Sequence, residues 1–321
     1  MSKRILVTGS HGFIGRVLLT YFLKDPDIEL IDCVDNLCNS SHDPADPLFQ
    51  DGRIRVTISN VQDMGPMIAY DEIWHLASPV GPVGVLKYAG KMGPMIIADT
   101  AKMANWALAT GAKLIDISTS EVYGQDPCGI PQVENIPKIV PSNTTVRLEY
   151  GVSKLCCEVF LANMVRTTSL QCNMIRPYNI VSFGQQASAG FVLPRLIEQA
   201  LAGLPLTVYQ PGTQRRTFTD VRDFVEGMIH IMKHGKNGEI YNVGNPANLH
   251  SILELAEMVI KKTGTTSKIS IVDPKTLHGD LFEGAWEKIP NITKVQTDTG
   301  WTPFRTLEDI VDEAVRGYQN V

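Results

Sequence analysis

Short apolar runs rich in Ile, Leu and Val recur at residues 4–7, 30–34, 53–58, 72–76, 114–118 and 171–176, and Gly, Pro or charge interrupts them. Runs of this length between turn residues predict strands. Between them, the stretches 15–23, 98–109 and 149–165 carry helical patterns. Strand alternating with helix predicts an α/β fold, a Rossmann-type doubly wound parallel sheet. Right-handed crossovers then gather the strand C-termini on one edge, where ligands bind.

Past residue 179 the rhythm changes: loops lengthen, and Gly and Pro become frequent. Helices are predicted at 193–202, 221–233, 252–262 and 307–318, with short strands at 206–209 and 239–243. The pattern divides the chain into a sheet domain, 1–179, and a smaller C-terminal α/β substrate-binding portion, 180–321. The chain is expected to cross between them more than once.

Composition mainly excludes. The 321 residues are 44% hydrophobic and 20% charged, an ordinary globular balance. Acidic residues outnumber basic ones, 34 to 29, for a net charge of -5. Nucleic acid and anionic membrane are therefore not expected partners. No apolar run has transmembrane length, and the start of the chain lacks a signal-peptide pattern. Six cysteines stand without a CxxC or Cys/His cluster. That argues against a metal and for a reduced, cytoplasmic protein.

Candidate chemistry starts after the first strand. Gly9, Gly12 and Gly15 form GxxGxxG at a strand-to-helix turn. Such glycines let backbone approach a pyrophosphate at a helix N-terminus. Asp35, followed by Asn36, ends the second strand. A carboxylate there accepts from an adenosine ribose 2′-hydroxyl and repels a 2′-phosphate, which favours NAD over NADP.

Tyr150 and Lys154 lie four apart in a helical stretch and share one face. A phenol titrates near 10 and is a poor base. A neighbouring ammonium and a cationic nicotinamide favour phenolate, and a drop of about three units corresponds to roughly 4 kcal/mol. Tyr150 is thus a candidate proton shuttle for a sugar hydroxyl. Thr119, ending the fifth strand, supplies a second hydroxyl for the same oxygen, and Glu121 a nearby carboxylate.

Together with His75-Leu76-Ala77-Ser78-Pro79, Ser-Thr-Ser-Glu-Val-Tyr-Gly at 118–124 and Arg176-Pro177-Tyr178-Asn179, these motifs resemble the extended short-chain dehydrogenase/reductase family of NAD-dependent epimerases and dehydratases. The resemblance runs over nearly the whole chain, through Gln214–Asp220 and Gly300–Pro303. It implies NAD as cofactor, a nucleotide-sugar substrate and oxidation at sugar C4 to a 4-keto intermediate. It implies further cofactor contacts from His11, Phe13, Ile14, Asn39, Ser40, Asn60, Val61, Leu76, Ala77, Ser78 and Tyr178, besides Tyr150 and Lys154. Substrate contacts are implied for Pro79, Ser120, Glu121, Asn179, Thr207, Tyr209 and Arg216, and UDP is favoured by Leu206, Val208 and Tyr209. His75 is expected to be structural. The helical stretches 98–109 and 149–165 imply a homodimer.

The reaction is read from the residues after Thr119. Ser120 replaces the Asp that 4,6-dehydratases usually carry, which disfavours C6 dehydration. Thr-Ser-Glu-Val-Tyr-Gly resembles UDP-glucuronate decarboxylases, where the equivalents of Glu121 and Arg216 serve the loss of CO₂. A uronate 4-epimerase and a non-catalytic NAD-binding regulator are the alternatives.

Overall fold

The computed structural model describes residues 2–40, 42–124, 130–140, 142, 144–284 and 287–320. The sheet domain is built from β1 (Lys3–Thr8), α1 (Phe13–Phe22), β2 (Ile28–Asp35), β3 (Ile54–Ile58), β4 (Glu72–His75), α2 (Met92–Thr110), β5 (Lys113–Ile117), α3 (Val146–Thr167) and β6 (Gln171–Pro177). Beyond it come β7 (Ile180–Val181), α4 (Val192–Leu201), β8 (Leu206–Tyr209), β9 (Arg215–Thr217), β10 (Thr219–Asp220), α5 (Val221–His234) and β11 (Ile240–Val243). The chain closes with β12 (Leu249–Ser251), α6 (Ile252–Thr263), β13 (Ile269–Val272), α7 (Lys275–His278), α8 (Thr293–Thr299) and α9 (Leu307–Gln319).

One seven-stranded sheet has the order β11-β6-β5-β4-β1-β2-β3, with every adjacent pair parallel. Its central strands bury both faces, so Ile5, Leu6, Ile73, Leu114 and Ile115 are fully buried. That is why they read as unbroken apolar runs. Leu18, Leu19 and Phe22 of α1 and Phe224, Met228 and Ile231 of α5 cover one face. Met103, Trp106 and Ala107 of α2 and Leu161 of α3 cover the other.

Residue 179 does not separate the two portions cleanly. The seventh strand, β11, and the covering helix α5 both come from beyond it, because the sheet's outer edge and its α1 face still need apolar cover. The remaining C-terminal elements enclose a second core, with Leu196, Leu206, Leu255, Ile310 and Val311 fully or almost fully buried. The chain order reverses at β1, which lies between β2 and β4. Crevices beyond such a reversal are where open α/β sheets bind ligands.

Candidate active site

A cleft of about 1620 Å³ runs from the β1–α1 turn across the sheet's carboxyl edge to the segment after α7. The glycine turn forms one end. Gly9 has φ +73, and a Cβ there would lie 2.7 Å from Ala77 N. A Cβ on Gly15 would meet Gly9 O at 2.3 Å. Glycine at both positions keeps α1 tight against the turn, with its N-terminus facing the cleft. His11, Gly12, Phe13 and Ile14 line the same turn. The His11 ring stacks on Phe49 at 4.1 Å and meets His42 through a 3.0 Å ring-nitrogen contact.

Asp35 is held where β2 ends. Its carboxylate accepts from His11 N at 3.0 Å, Leu37 N at 2.8 Å and Ser40 Oγ at 3.1 Å. Asn36, Asn39 and Ser40 line the cleft beside it, and Asn60 and Val61 line its next stretch. Asn36 Nδ2 donates to Asn60 Oδ1 at 3.0 Å, joining the ends of β2 and β3. Leu76, Ala77, Ser78 and Pro79 follow β4 along the floor. His75 is 2% exposed and bonded to Thr8 Oγ1 at 2.7 Å. Burial, then the charge of Lys154, lowers it to about 3, so it is neutral.

Tyr150 and Lys154 project from α3. Thr145 caps that helix by accepting from Leu148 N at 3.1 Å. Glu149 locks α3 to the start of α2, accepting from Gly90 N at 2.8 Å and Gly93 N at 3.0 Å. The Thr119 hydroxyl lies close enough to the Tyr150 phenol to lower its pKa. Thr119, Ser120, Glu121, Tyr150 and Lys154 all line the cleft. The protein's own charges do not lower the phenol's pKa as expected. Burial, then the Glu121 carboxylate, pushes Tyr150 above its ordinary value. Lys154 Nζ is turned to the Ile117 carbonyl at 2.6 Å.

Glu121 is enclosed by cations. Arg147 Nε donates to Oε2 at 2.7 Å, and Nη2 to Oε1 at 2.6 Å. Lys288 Nζ forms an ion pair with the same Oε1. Burial alone would raise the Glu121 carboxyl, but Arg147 and then Lys288 hold it well below the carboxylate range. Burial, opposed by Glu121, lowers the Lys288 ammonium to about 8. Burial and the charge of Arg147 lower Arg216, 7% exposed, to about 10. Arg216 lines the cleft, and β9 pairs it with His250 of β12.

Asn179 and Tyr209 reach the far end. The Arg195 guanidinium lies 4.0 Å over the Tyr209 ring, whose hydroxyl meets His278 Nε2 at 2.6 Å. Phe282 packs edge-on at 5.6 Å.

Two residues expected to make contacts do not line the cleft. Tyr178 is fully buried, and its hydroxyl donates to Gln132 Oε1 at 2.9 Å, away from the cleft. The turn after β6 directs Asn179, at φ +41, to the cleft and leaves Tyr178 beneath it. Thr207 is also outside the cleft: Gln199 of α4 clamps it, donating to Oγ1 at 2.9 Å and accepting from its amide at 2.8 Å.

The sequence reading missed Arg147, Lys288, Arg195 and His278. Arg147 carried a signal: it precedes Tyr150 by three residues, one turn on the same helical face. The others come from distant segments: Arg195 lines the cleft, Lys288 pairs with Glu121 and His278 meets the Tyr209 hydroxyl.

No cluster among the described residues could hold a metal ion, and no described helix is long and apolar enough to cross a membrane. The glycine turn, the α1 N-terminus and the Asp35 carboxylate suit a dinucleotide, with β4, Tyr150 and Lys154 farther along.

The pattern of the NAD dependent epimerase/dehydratase family matches residues 5–244. UDP-glucuronic acid decarboxylase 6 of Arabidopsis thaliana is 32% identical over 309 residues, covering 96% of this chain and 86% of the relative. UDP-glucuronic acid decarboxylase 1 of Xenopus tropicalis is 29% identical, covering 99% and 72%. Among solved structures, UDP-glucuronic acid 4-epimerase from Bacillus cereus, in complex with UDP-glucuronic acid and NAD, is similar with a TM-score of 0.84 at 24% identity, covering 99% of each chain. The dTDP-glucose 4,6-dehydratase of Bacillus anthracis, in complex with NAD, is similar with a TM-score of 0.83 at 22% identity, covering 99% and 97%. The chain therefore belongs to the NAD-dependent epimerase/dehydratase family, as an enzyme that uses NAD to modify a nucleotide sugar.

Proposed function

We propose that this chain decarboxylates a nucleotide uronate, UDP-glucuronate by preference, through a 4-keto intermediate. The supporting observation is Glu121, kept ionised by Arg147 and Lys288 beside Tyr150. Arg147, Lys288 and Arg216 against this one carboxylate leave the sugar end cationic, which suits an anionic substrate. A fixed anion next to the substrate carboxylate disfavours retaining that charge and favours its departure as CO₂. The relatives' names point to the same substrate.

Bound NAD supplies the hydride acceptor for C4 and a positive charge near Tyr150. Tyr150 takes the O4 proton, and the Thr119 hydroxyl steadies the oxygen. The C4 ketone makes the substrate a β-keto acid. The C5–C6 bond then breaks, its electron pair enters the C4–C5 enolate, and CO₂ leaves. Thr119 and Tyr150 hydrogen-bond the enolate oxygen, and C5 takes a proton from solvent water. The Arg195–Tyr209 end holds the nucleotide, with Arg216 on the diphosphate or carboxylate.

The chain acts as a homodimer through α2 and α3. Val152 and Val159 of α3 share one face with Cys156 and are 42% and 56% exposed, a strip that a second copy would cover.

The test is mass spectrometry of nucleotide sugars after incubation with UDP-glucuronate and NAD⁺. Loss of CO₂ supports decarboxylation. An isomer of unchanged mass replaces it with 4-epimerisation, and unaltered UDP-glucuronate refutes the substrate.

A further inference from the structure

Lys154 has unusual surroundings. It is 2% exposed, and its known hydrogen bond is to a neutral carbonyl. A buried ammonium requires a compensating anion. His75, in electrostatic reach, is neutral and cannot provide it. Glu158, on the same helix, is taken: Arg176 Nη2 donates to it at 2.6 Å and Ser118 Oγ at 2.5 Å.

Two carboxylates remain, and neither has a part in the chemistry above. Asp116 lies in β5, opposite His75 of β4, and is fully buried. Thr100 Oγ1 donates to its Oδ1 at 3.3 Å, while Oδ2 has no hydrogen-bond partner among the described residues. Asp99, the residue before Thr100 on α2, lines the cleft and accepts from Gln62 Nε2 at 2.8 Å. Lys154 Nζ rests on the carbonyl of Ile117, the residue after Asp116, and shares the cleft lining with Asp99; burial raises both carboxyls, and the charge of Lys154 opposes that rise. Cys157 and Cys172 lie within electrostatic reach of Asp116, and burial raises both thiols, so they add no charge. Asp63 and Lys102 act on Asp99 with opposite sign.

We infer that Asp99 and Asp116 are positioning residues that offset Lys154 and bias the bound dinucleotide toward its oxidised form, so that the hydride returns to the sugar. An oxidised nicotinamide is cationic and a reduced one neutral. Anions behind Lys154 therefore favour NAD⁺, whereas an uncompensated ammonium favours NADH. During oxidation the hydride leaves C4 with its electron pair and the O4 proton moves to Tyr150. Return reverses both transfers and regenerates NAD⁺ without an external oxidant. The product is then a redox-neutral sugar rather than a released ketone.

This inference rests on the placement of Lys154 at the nicotinamide end, and binding without sugar tests it separately from decarboxylation. NAD⁺ and NADH affinities are measured by calorimetry on the full chain and on Asp99→Asn, Asp116→Asn and Asp116→Leu. Each folded variant is expected to shift the affinity ratio toward NADH by about tenfold. A ratio within about twofold of the parent in Asp99→Asn and in either folded Asp116 variant overturns the inference. Asp99 lines the open cleft, so Asp99→Asn alone decides if both Asp116 variants fail to fold; its unchanged ratio is then sufficient to overturn it.

Discussion

Replacing Arg147 with Met removes the main charge that keeps Glu121 ionised while retaining most of the side chain's length. In the parent protein two hydrogen bonds, at 2.7 and 2.6 Å, tie the guanidinium to the carboxylate. Each side chain is 20% exposed, between the surface and buried cases. Surface pairs contribute about 0–1 kcal/mol, whereas removing one partner of a buried pair costs about 3–5 kcal/mol. Lys288 still compensates Glu121 in the variant, so a loss of about 1–3 kcal/mol in stability is expected.

The pH signature is sharper. Glu121 is depressed below its ordinary value of 4.5. Its stabilising contribution is therefore present above that value and is lost as pH falls through the lower folded value. Arg147→Met moves the folded value upward, so the acid loss of both stability and turnover begins at higher pH. The assays are CO₂ release from UDP-glucuronate between pH 4 and 8 and denaturant unfolding over the same range. KM should rise about tenfold or more, because the sugar end loses a cation. Arg147→Lys should restore part of the affinity without the two-point geometry. An Arg147→Met protein with an unshifted acid limb and KM within about twofold of the parent would refute this reasoning.

Tyr150→Phe should reduce turnover by at least about a thousandfold while NAD binding by calorimetry changes little, since the hydroxyl serves proton transfer. Gly15→Ala should abolish NAD binding, because its Cβ would lie 2.3 Å from Gly9 O; near-normal affinity would contradict the tight turn. Glu158→Gln should cost about 3–5 kcal/mol in denaturant unfolding, since it weakens the buried pair with Arg176, in which both side chains are 2% exposed. Val159→Arg should give a monomer by light scattering if α2 and α3 meet a second copy, whereas a parent that is already monomeric would remove that proposal.

Much was legible in order along the chain. The runs at 4–7, 30–34 and 114–118 became β1, β2 and β5 with small changes at their ends, because a strand buried on both faces must be apolar throughout. The glycine turn and Asp35 were equally plain, since close backbone packing permits few residues at Gly9 and Gly15. Tyr150 and Lys154 were visible because a helical turn fixes their spacing. The sequence by itself thus determined the parallel sheet, the dinucleotide end of the cleft and the tyrosine–lysine pair.

Tertiary structure decided the electrostatics. Glu121 read simply as a carboxylate near Thr119, yet Arg147 and Lys288 converge on it from α3 and from the segment before α8. Tyr150 read as an acidified phenol, yet burial and Glu121 raise it. Tyr178 and Thr207 occupied plausible motif positions, but Gln132 and Gln199 hold them outside the cleft. Local patterns follow from repeat geometry, which a sequence carries. Charge balance in a buried site depends on distance and desolvation among residues as far apart in the chain as Glu121 and Lys288, and only the folded chain sets those.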